Sequence, residues 1–184
     1  MIITDIKTHV LSAPLEQPFA FSQGWVHQRT AMLVEVHTED GLIGWGESIN
    51  HGLQPPQVAQ AVVEYALKPL LMGRSVFDHE VLWEEMYNHT RPYGQKGAAL
   101  FGIAAIDIAL WDLFGKALGQ PIHRLMGGAF RREICPYATG FYRRKDGCYP
   151  EDIVEEALRH QANGYRAMKI KTGFGVESDI RDMR

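Results

Sequence analysis

At 184 residues, with 46% hydrophobic residues and a formal charge of -3, the chain has ample apolar content for a packed core and no basic block to follow a nucleic-acid backbone. No run of residues reads as apolar over a membrane-spanning length, and Met1-Ile2-Ile3-Thr4-Asp5 lacks a signal peptide's charged start and long apolar centre. The two cysteines, Cys135 and Cys148, then read as reduced thiols, and the expectation is a cytoplasmic protein that engages neither membrane nor nucleic acid.

Ile2 to Leu11 alternates moderately, as a half-exposed strand does. Ala13 to Gln28 holds Pro14, Pro18 and Gly24 among the aromatics Phe19, Phe21 and Trp25, which reads as a long loop packing over something as a flap. Thr30 to Thr38 is the clearest strand. Glu39-Asp40-Gly41 supplies a tight turn, and Leu42 to Ser48 is the returning strand. Gly44 and Gly46 in that return point to a bulge or to another backbone passing close by. The loop Ile49 to Pro56, carrying His51, leads into helices.

Three helical stretches follow. Pro56 to Lys68 has apolar residues at helical spacing and is expected to stop before Pro69. Val76 to Tyr87 sets Val81, Leu82, Trp83 and Met86 on its apolar side. Lys96 to Leu118 is the longest, with Ala99, Ile103, Ile106, Leu110, Leu113 and Ala117 down one side and many small residues that let neighbours approach. Asp107 and Asp112 are five apart, off the spacing of paired ligands, and read as structural. Gly119-Gln120-Pro121 ends the helix, and Ile122 to Met126 adds one turn.

The last third reads as strand, helix, strand. Ile134 to Gly140 is a short strand weakened by Pro136. Pro150-Glu151-Asp152 opens a helix that Asn163-Gly164 closes. Ala167 to Gly173 is then a strand parallel to the first. Residues alternate faces along it, so Lys169 and Lys171 share one side, about 7 Å apart. In β/α barrels and open α/β sheets, ligands meet the C-terminal ends of such strands. Two ammonium groups at that end suggest chemistry; a solvated edge strand carrying two lysines is the plain alternative.

Taken together, the hairpin Gly41…Gly44-Trp45-Gly46-Glu47, Ile106 to Lys116, Pro121-Ile122, Leu125-Met126-Gly127-Gly128 and Lys169-Ile170-Lys171 resemble the enolase superfamily. More narrowly they resemble the mandelate racemase/muconate lactonizing enzyme family. Tyr137 to Gly140 and Lys169 to Glu177 look most like its acid-sugar members, lactone cycloisomerases among them. The resemblance implies an α+β capping domain of antiparallel sheet plus helices over residues 1–130. It also implies the start of a (β/α) TIM-type barrel over 131–184, as its first βαβ unit.

Such enzymes take the proton alpha to a carboxylate, with Mg²⁺ stabilising the enediolate, and the superfamily is a known user of lysine or histidine bases with Mg²⁺. Carried onto this chain, Lys171 matches the general base and Lys169 the neighbour beside the substrate carboxylate. A free lysine titrates at about 10.4, so a lysine base needs its ammonium destabilised; desolvation, a second ammonium and a nearby Mg²⁺ all act that way. The capping domain's two specificity loops fall at Ala13 to Gln28 and Ile49 to Pro56, which makes Phe21, Trp25 and His51 substrate-contact candidates.

The substrate expected is a small hydroxy-carboxylate or acid sugar, and the assembly a homo-oligomer. A whole barrel needs about 200 to 250 residues, far more than 131–184 supply. The Mg²⁺ ligands and the opposite-face base are therefore expected beyond residue 184, and the chain by itself is expected to be an inactive N-terminal part. The competing reading is a non-catalytic anion-binding or oligomerisation module. A phosphate-binding α/β protein fits less well, because Gly173-Phe174-Gly175-Val176-Glu177 has too few glycines and no Lys-Ser/Thr after it.

Overall fold

The computed structural model describes residues 1–50 and 52–184; the candidate His51 lies outside them. The chain divides into two compact units, one made of Met1–Ala13 with Thr30–Phe130, the other of Pro14–Arg29 with Arg131–Arg184. The strands β1 (Ile3–Phe21) and β2 (Gly24–Thr38) each contribute one end to either unit.

In the first unit the sheet order is β3-β2-β1, with β3 spanning Ile43–Ser48. β2 and β3 pair antiparallel without interruption from Met32↔Ser48 to His37↔Ile43, and Gly41 N–H closes the turn onto the Thr38 carbonyl at 3.0 Å. Met32, Val34 and Val36 are fully buried on one face. The two glycines of β3 are there for close approach, and no bulge interrupts the register. A Cβ on Gly44 would stand 2.2 Å from the Ala109 carbonyl oxygen, and one on Gly46 1.9 Å from that of Ala105.

Those carbonyls belong to α4 (Ala98–Leu118), the helix around which the unit is packed. Ile103, Ile106, Leu110 and Leu113 are fully buried along it, and each such side chain contributes about 1.5–3 kcal/mol of burial. Ala117, expected on the same side, is exposed. Asp112 bears out its structural reading: it accepts from Trp45 N–H at 2.9 Å and pairs with Lys116 at 2.6 Å, and Lys116 also donates to the Ile43 carbonyl at 2.7 Å. Gly119, at φ 60, adopts the left-handed cap that ends the helix.

By length and composition alone α4 could cross a membrane, which corrects the expectation that no segment reaches that length. Half of that stretch is buried inside the protein, and Asp107, Asp112 and Lys116 lie along the helix, as befits a core helix. Asp107 is pushed above the usual carboxylate range by its burial, with His79 nearby opposing the rise.

Helix boundaries differ from expectation at Pro69 and after Tyr87. α1 (Gln57–Ala61) runs through a π-turn (Val62–Leu67) into α2 (Lys68–Leu71), so the helix continues past Pro69. The π-turn shifts the backbone ladder, with Lys68 N–H reaching the Val63 carbonyl, and a residue without a donor fits the turn after it. A 3₁₀ turn (Val76–Asp78) starts α3 (His79–Gly94), which carries Pro92 in its last turn. Only Leu82 and Met86 of its expected apolar side are buried; Val81 and Trp83 are exposed, and Trp83 stacks on Tyr87. α5 (Ile122–Leu125) is the single turn expected.

On the sheet face opposite α4, the Glu35 carboxylate is held by two histidines, His37 at 2.6 Å and His9 at 2.8 Å. Burial would raise Glu35, but the two histidine hydrogen bonds outweigh it and leave the carboxyl below its usual range. A carboxyl lowered in the folded state stabilises the fold above its ordinary value of about 4.5, and that contribution is lost as pH falls through the lowered value. Glu35→Gln is therefore expected to flatten the acid side of thermal stability against pH, lowering stability near neutrality and leaving it nearly unchanged once the carboxyl is protonated. An unchanged acid limb in differential scanning calorimetry would remove Glu35 from that role.

The second unit is described in the next section. Its main departure from expectation is that residues 13–28 form the end of a β-hairpin, turning at Ser22-Gln23, and not a loop. Pro14 and Pro18 are four apart, so both withhold their donor from the same edge of β1 and leave the donors of the other edge in place.

Candidate active site

Within the second unit two short strands lie parallel: β4 (Ala138–Thr139) and β6 (Met168–Lys169), in the register Ala138↔Met168 and Thr139↔Lys169. The helix that connects them is α6 (Glu151–Ala162). Glu151 and Asp152 sit in its first turn, Arg159 and His160 in its last, each favourable against the helix dipole. Both strands are shorter than the sequence pattern suggests. Pro136 removes a donor before β4, so Cys135 falls outside the strand and is exposed, and β6 has its one partner on one edge.

Lys169 is therefore the last residue of β6 and exposed, while Lys171 lies two residues beyond the strand and is half-buried. The Lys171 ammonium stands over the Tyr142 ring, 5.4 Å from its centroid. Tyr142 comes from the segment that follows β4, so the C-terminal exits of the two parallel strands supply this pair.

The hairpin end closes on the same place. Phe19 and Ala20 of β1 pair antiparallel with Arg144 and Arg143 of β5 (Arg143–Arg144), and the Phe19 ring packs on Tyr142 at 4.3 Å between centroids. At the hairpin turn, Ser22 comes so near Gly173 that a Cβ there would meet the Ser22 Cβ at 2.8 Å. Phe21, half-buried, precedes the turn on the same face of β1 as Phe19; Trp25, 42% exposed, follows it. Phe19 is the aromatic that sequence reasoning missed. Its signal was the two-residue spacing to Phe21, which is legible once the segment is known to be a strand.

The stretch after Lys171 is fixed by charge. Asp179 of α7 (Val176–Asp182) accepts from the backbone N–H of Gly173 at 2.8 Å and of Phe174 at 3.2 Å. Arg143 pairs with the buried carboxylate of Asp182, and its guanidinium lies over Tyr149 at 3.9 Å and Phe174 at 4.7 Å. Asp179 and Asp182 thus serve the scaffold. Cys148 is also local: its thiol donates to Glu151 at 3.3 Å, and that carboxylate pushes the thiol above its ordinary range.

Among the described residues no group of three His, Cys, Asp or Glu side chains is arranged to hold a metal ion. The residues present do not form a Mg²⁺ site. What the unit offers is a cation, half-withdrawn from water over the Tyr142 ring, which itself packs on Phe19, at the exit of a parallel strand pair.

An antiparallel sheet packed on helices, followed by a short parallel pair, defines an α+β protein of the type that caps enolase-superfamily enzymes. Residues 4–127 match the model of the mandelate racemase/muconate lactonizing enzyme N-terminal domain, and the chain belongs to that family. It is 38% identical over 181 residues to the D-galactarolactone cycloisomerase of Agrobacterium fabrum, covering 98% of this chain and 47% of the relative. It is 35% identical over 161 residues to the arabinonate dehydratase of Saccharolobus solfataricus, covering 86% and 42%. Among solved structures, the 3,6-anhydro-D-galactonate cycloisomerase from Zobellia galactanivorans superposes with a TM-score of 0.83 at 34% identity, over 100% of this chain and 46% of that one. The chain spans less than half the length of these relatives.

Proposed function

We propose that residues 1–184 are the N-terminal part of an enzyme that abstracts the proton alpha to the carboxylate of an acid sugar or hydroxy acid. The outcome is lactone cycloisomerisation, loss of water or racemisation. Residues 1–130 are the capping domain, and 131–184 the first βαβ unit of a (β/α) barrel. Lys171 is the general base, and Lys169 meets the substrate carboxylate. Phe21, Trp25 and His51 contact the substrate from the cap.

The observation that carries this reading is the half-buried ammonium of Lys171 at the exit of a parallel strand pair, under the aromatic end of a hairpin. Family membership and relatives named as an acid-sugar cycloisomerase and a dehydratase support the choice of substrate class. In this reading the Mg²⁺ ligands belong to the part of the enzyme beyond residue 184.

Lys171 is partly withdrawn from water, and the positive charge of Lys169, two residues away, attracts the carboxylate of an incoming substrate. The hairpin's Phe19 and Phe21 supply apolar surface that keeps water from the reacting carbon.

The test is solvent exchange. The complete enzyme is incubated in D₂O with D-galactarolactone and with a panel of hydroxy acids, and deuterium at the alpha carbon is followed by NMR. Incorporation at one stereocentre is expected with at least one acid sugar; a panel with none, by an enzyme loaded with Mg²⁺, would overturn the reading.

A further inference from the structure

We propose that Tyr142 is a positioning residue for Lys171, its ring face holding the protonated ammonium at rest and releasing the neutral amine. This rests on the reading of Lys171 as the base.

The geometry begins one residue earlier. Phe141 has φ 58, a left-handed backbone that bulky residues rarely adopt. It is held there on three sides. Its N–H donates to Glu156 at 3.2 Å, its side chain is buried with its ring edge against His160, and Gly140 lies where a Cβ would fall 2.3 Å from the Glu156 carboxylate. A backbone forced into this turn sets the direction of the next side chain, Tyr142.

Tyr142 is then backed by the hairpin. Phe19 packs on it at 4.3 Å, and the Arg29 guanidinium covers Phe19 at 4.6 Å. On the Lys171 side, Asp179 fixes the backbone at Gly173 and Phe174, so the lysine stem starts from a defined point. On its other side the ring meets the Lys171 ammonium, 5.4 Å from its centroid.

An aromatic face attracts a cation and has no such attraction for a neutral amine. The contact therefore belongs to the charged form. A lysine that has just taken a proton from carbon is drawn to the ring, and one that has lost its proton is free to swing toward substrate. Because Phe19 supports the ring, the hairpin end and the charge of Lys171 are mechanically linked.

Competitive acylation of the protein with acetic anhydride tests this without any substrate. The rate at each lysine is read by mass spectrometry near neutrality and divided by its plateau in strong base, which removes differences in access. Tyr142→Leu is expected to raise this ratio at Lys171 roughly threefold, the size of a partly exposed cation–ring contact. Tyr142→Phe, which keeps the ring face, is expected to leave it at the parent value, and Lys169 is expected not to move in either variant. A ratio unchanged in Tyr142→Leu, an equal rise in Tyr142→Phe, or a rise shared by Lys169 would each overturn the proposal. Alpha-carbon exchange that survives loss of the Lys171 amine would overturn the base assignment while leaving these ratios as they are, so the two failures are separable.

Discussion

Lys171→Met in the complete enzyme is expected to lower alpha-carbon exchange by about a hundredfold or more, the usual contribution of a positioned base. Methionine keeps an unbranched apolar stem of similar length, so the packing on Tyr142 survives and only the amine is lost. The fall is expected in kcat as well as in kcat/KM, because the amine acts on the transition state. Lys169→Met is expected to behave differently, raising KM for a carboxylate substrate, since Lys169 is exposed and its proposed role is to meet the substrate's charge. Deuterium incorporation measured by NMR for both variants distinguishes the two roles. Exchange unaltered by Lys171→Met would exclude that residue as the base, and equal losses in kcat for both variants would merge the roles assigned to them.

The cap was largely legible because its sequence signals are local and agree with one another. Asp40-Gly41 sits between two alternating strands, and the structure turns there with a register unbroken over six pairs. The small-residue stripe on α4 anticipated close approach, and Gly44 and Gly46 are the surfaces that approach it. Where signals competed, the reading erred. Pro14 and Pro18 argued for a loop, but their shared parity spares one edge of β1, and the segment is a hairpin end. Pro69 argued for a helix end, yet a π-turn accommodates it.

The candidate site was legible only in part, for a physical reason. Lys169 and Lys171 stand out by type and spacing, but their alternation presumes a strand that continues, and β6 stops at Lys169. What lies opposite Lys171 is decided by contacts distant in sequence. Phe19 is 123 positions from Tyr142, and no periodicity within either segment reports that meeting. Phe141's left-handed backbone carries no sequence signal either, because its support from Glu156 and His160 is tertiary.

Gly46→Val is expected to be the most damaging single substitution in the first unit. A Cβ at position 46 would lie 1.9 Å from the Ala105 carbonyl oxygen and 2.9 Å from the Ala109 nitrogen. Both are backbone atoms in the middle of a 21-residue helix, so no side chain can swing aside. Relief requires α4 to move off β3. That would loosen Ala105, Ile106, Ala109 and Leu113, all fully buried, and would pull Asp112 away from Trp45 N–H. Overpacking of a well-filled core costs about 1–3 kcal/mol when side chains can adjust, and here the obstruction is main chain. A loss of about 3 kcal/mol or more is a large share of the 5–15 kcal/mol that holds a typical domain folded. Gly41→Ala serves as the control, since its added methyl meets nothing within 4 Å and costs only the strain of a positive φ. Urea unfolding followed by tryptophan fluorescence reads the difference. A midpoint for Gly46→Val close to that of Gly41→Ala would mean that the strand and helix have room the close approach denies.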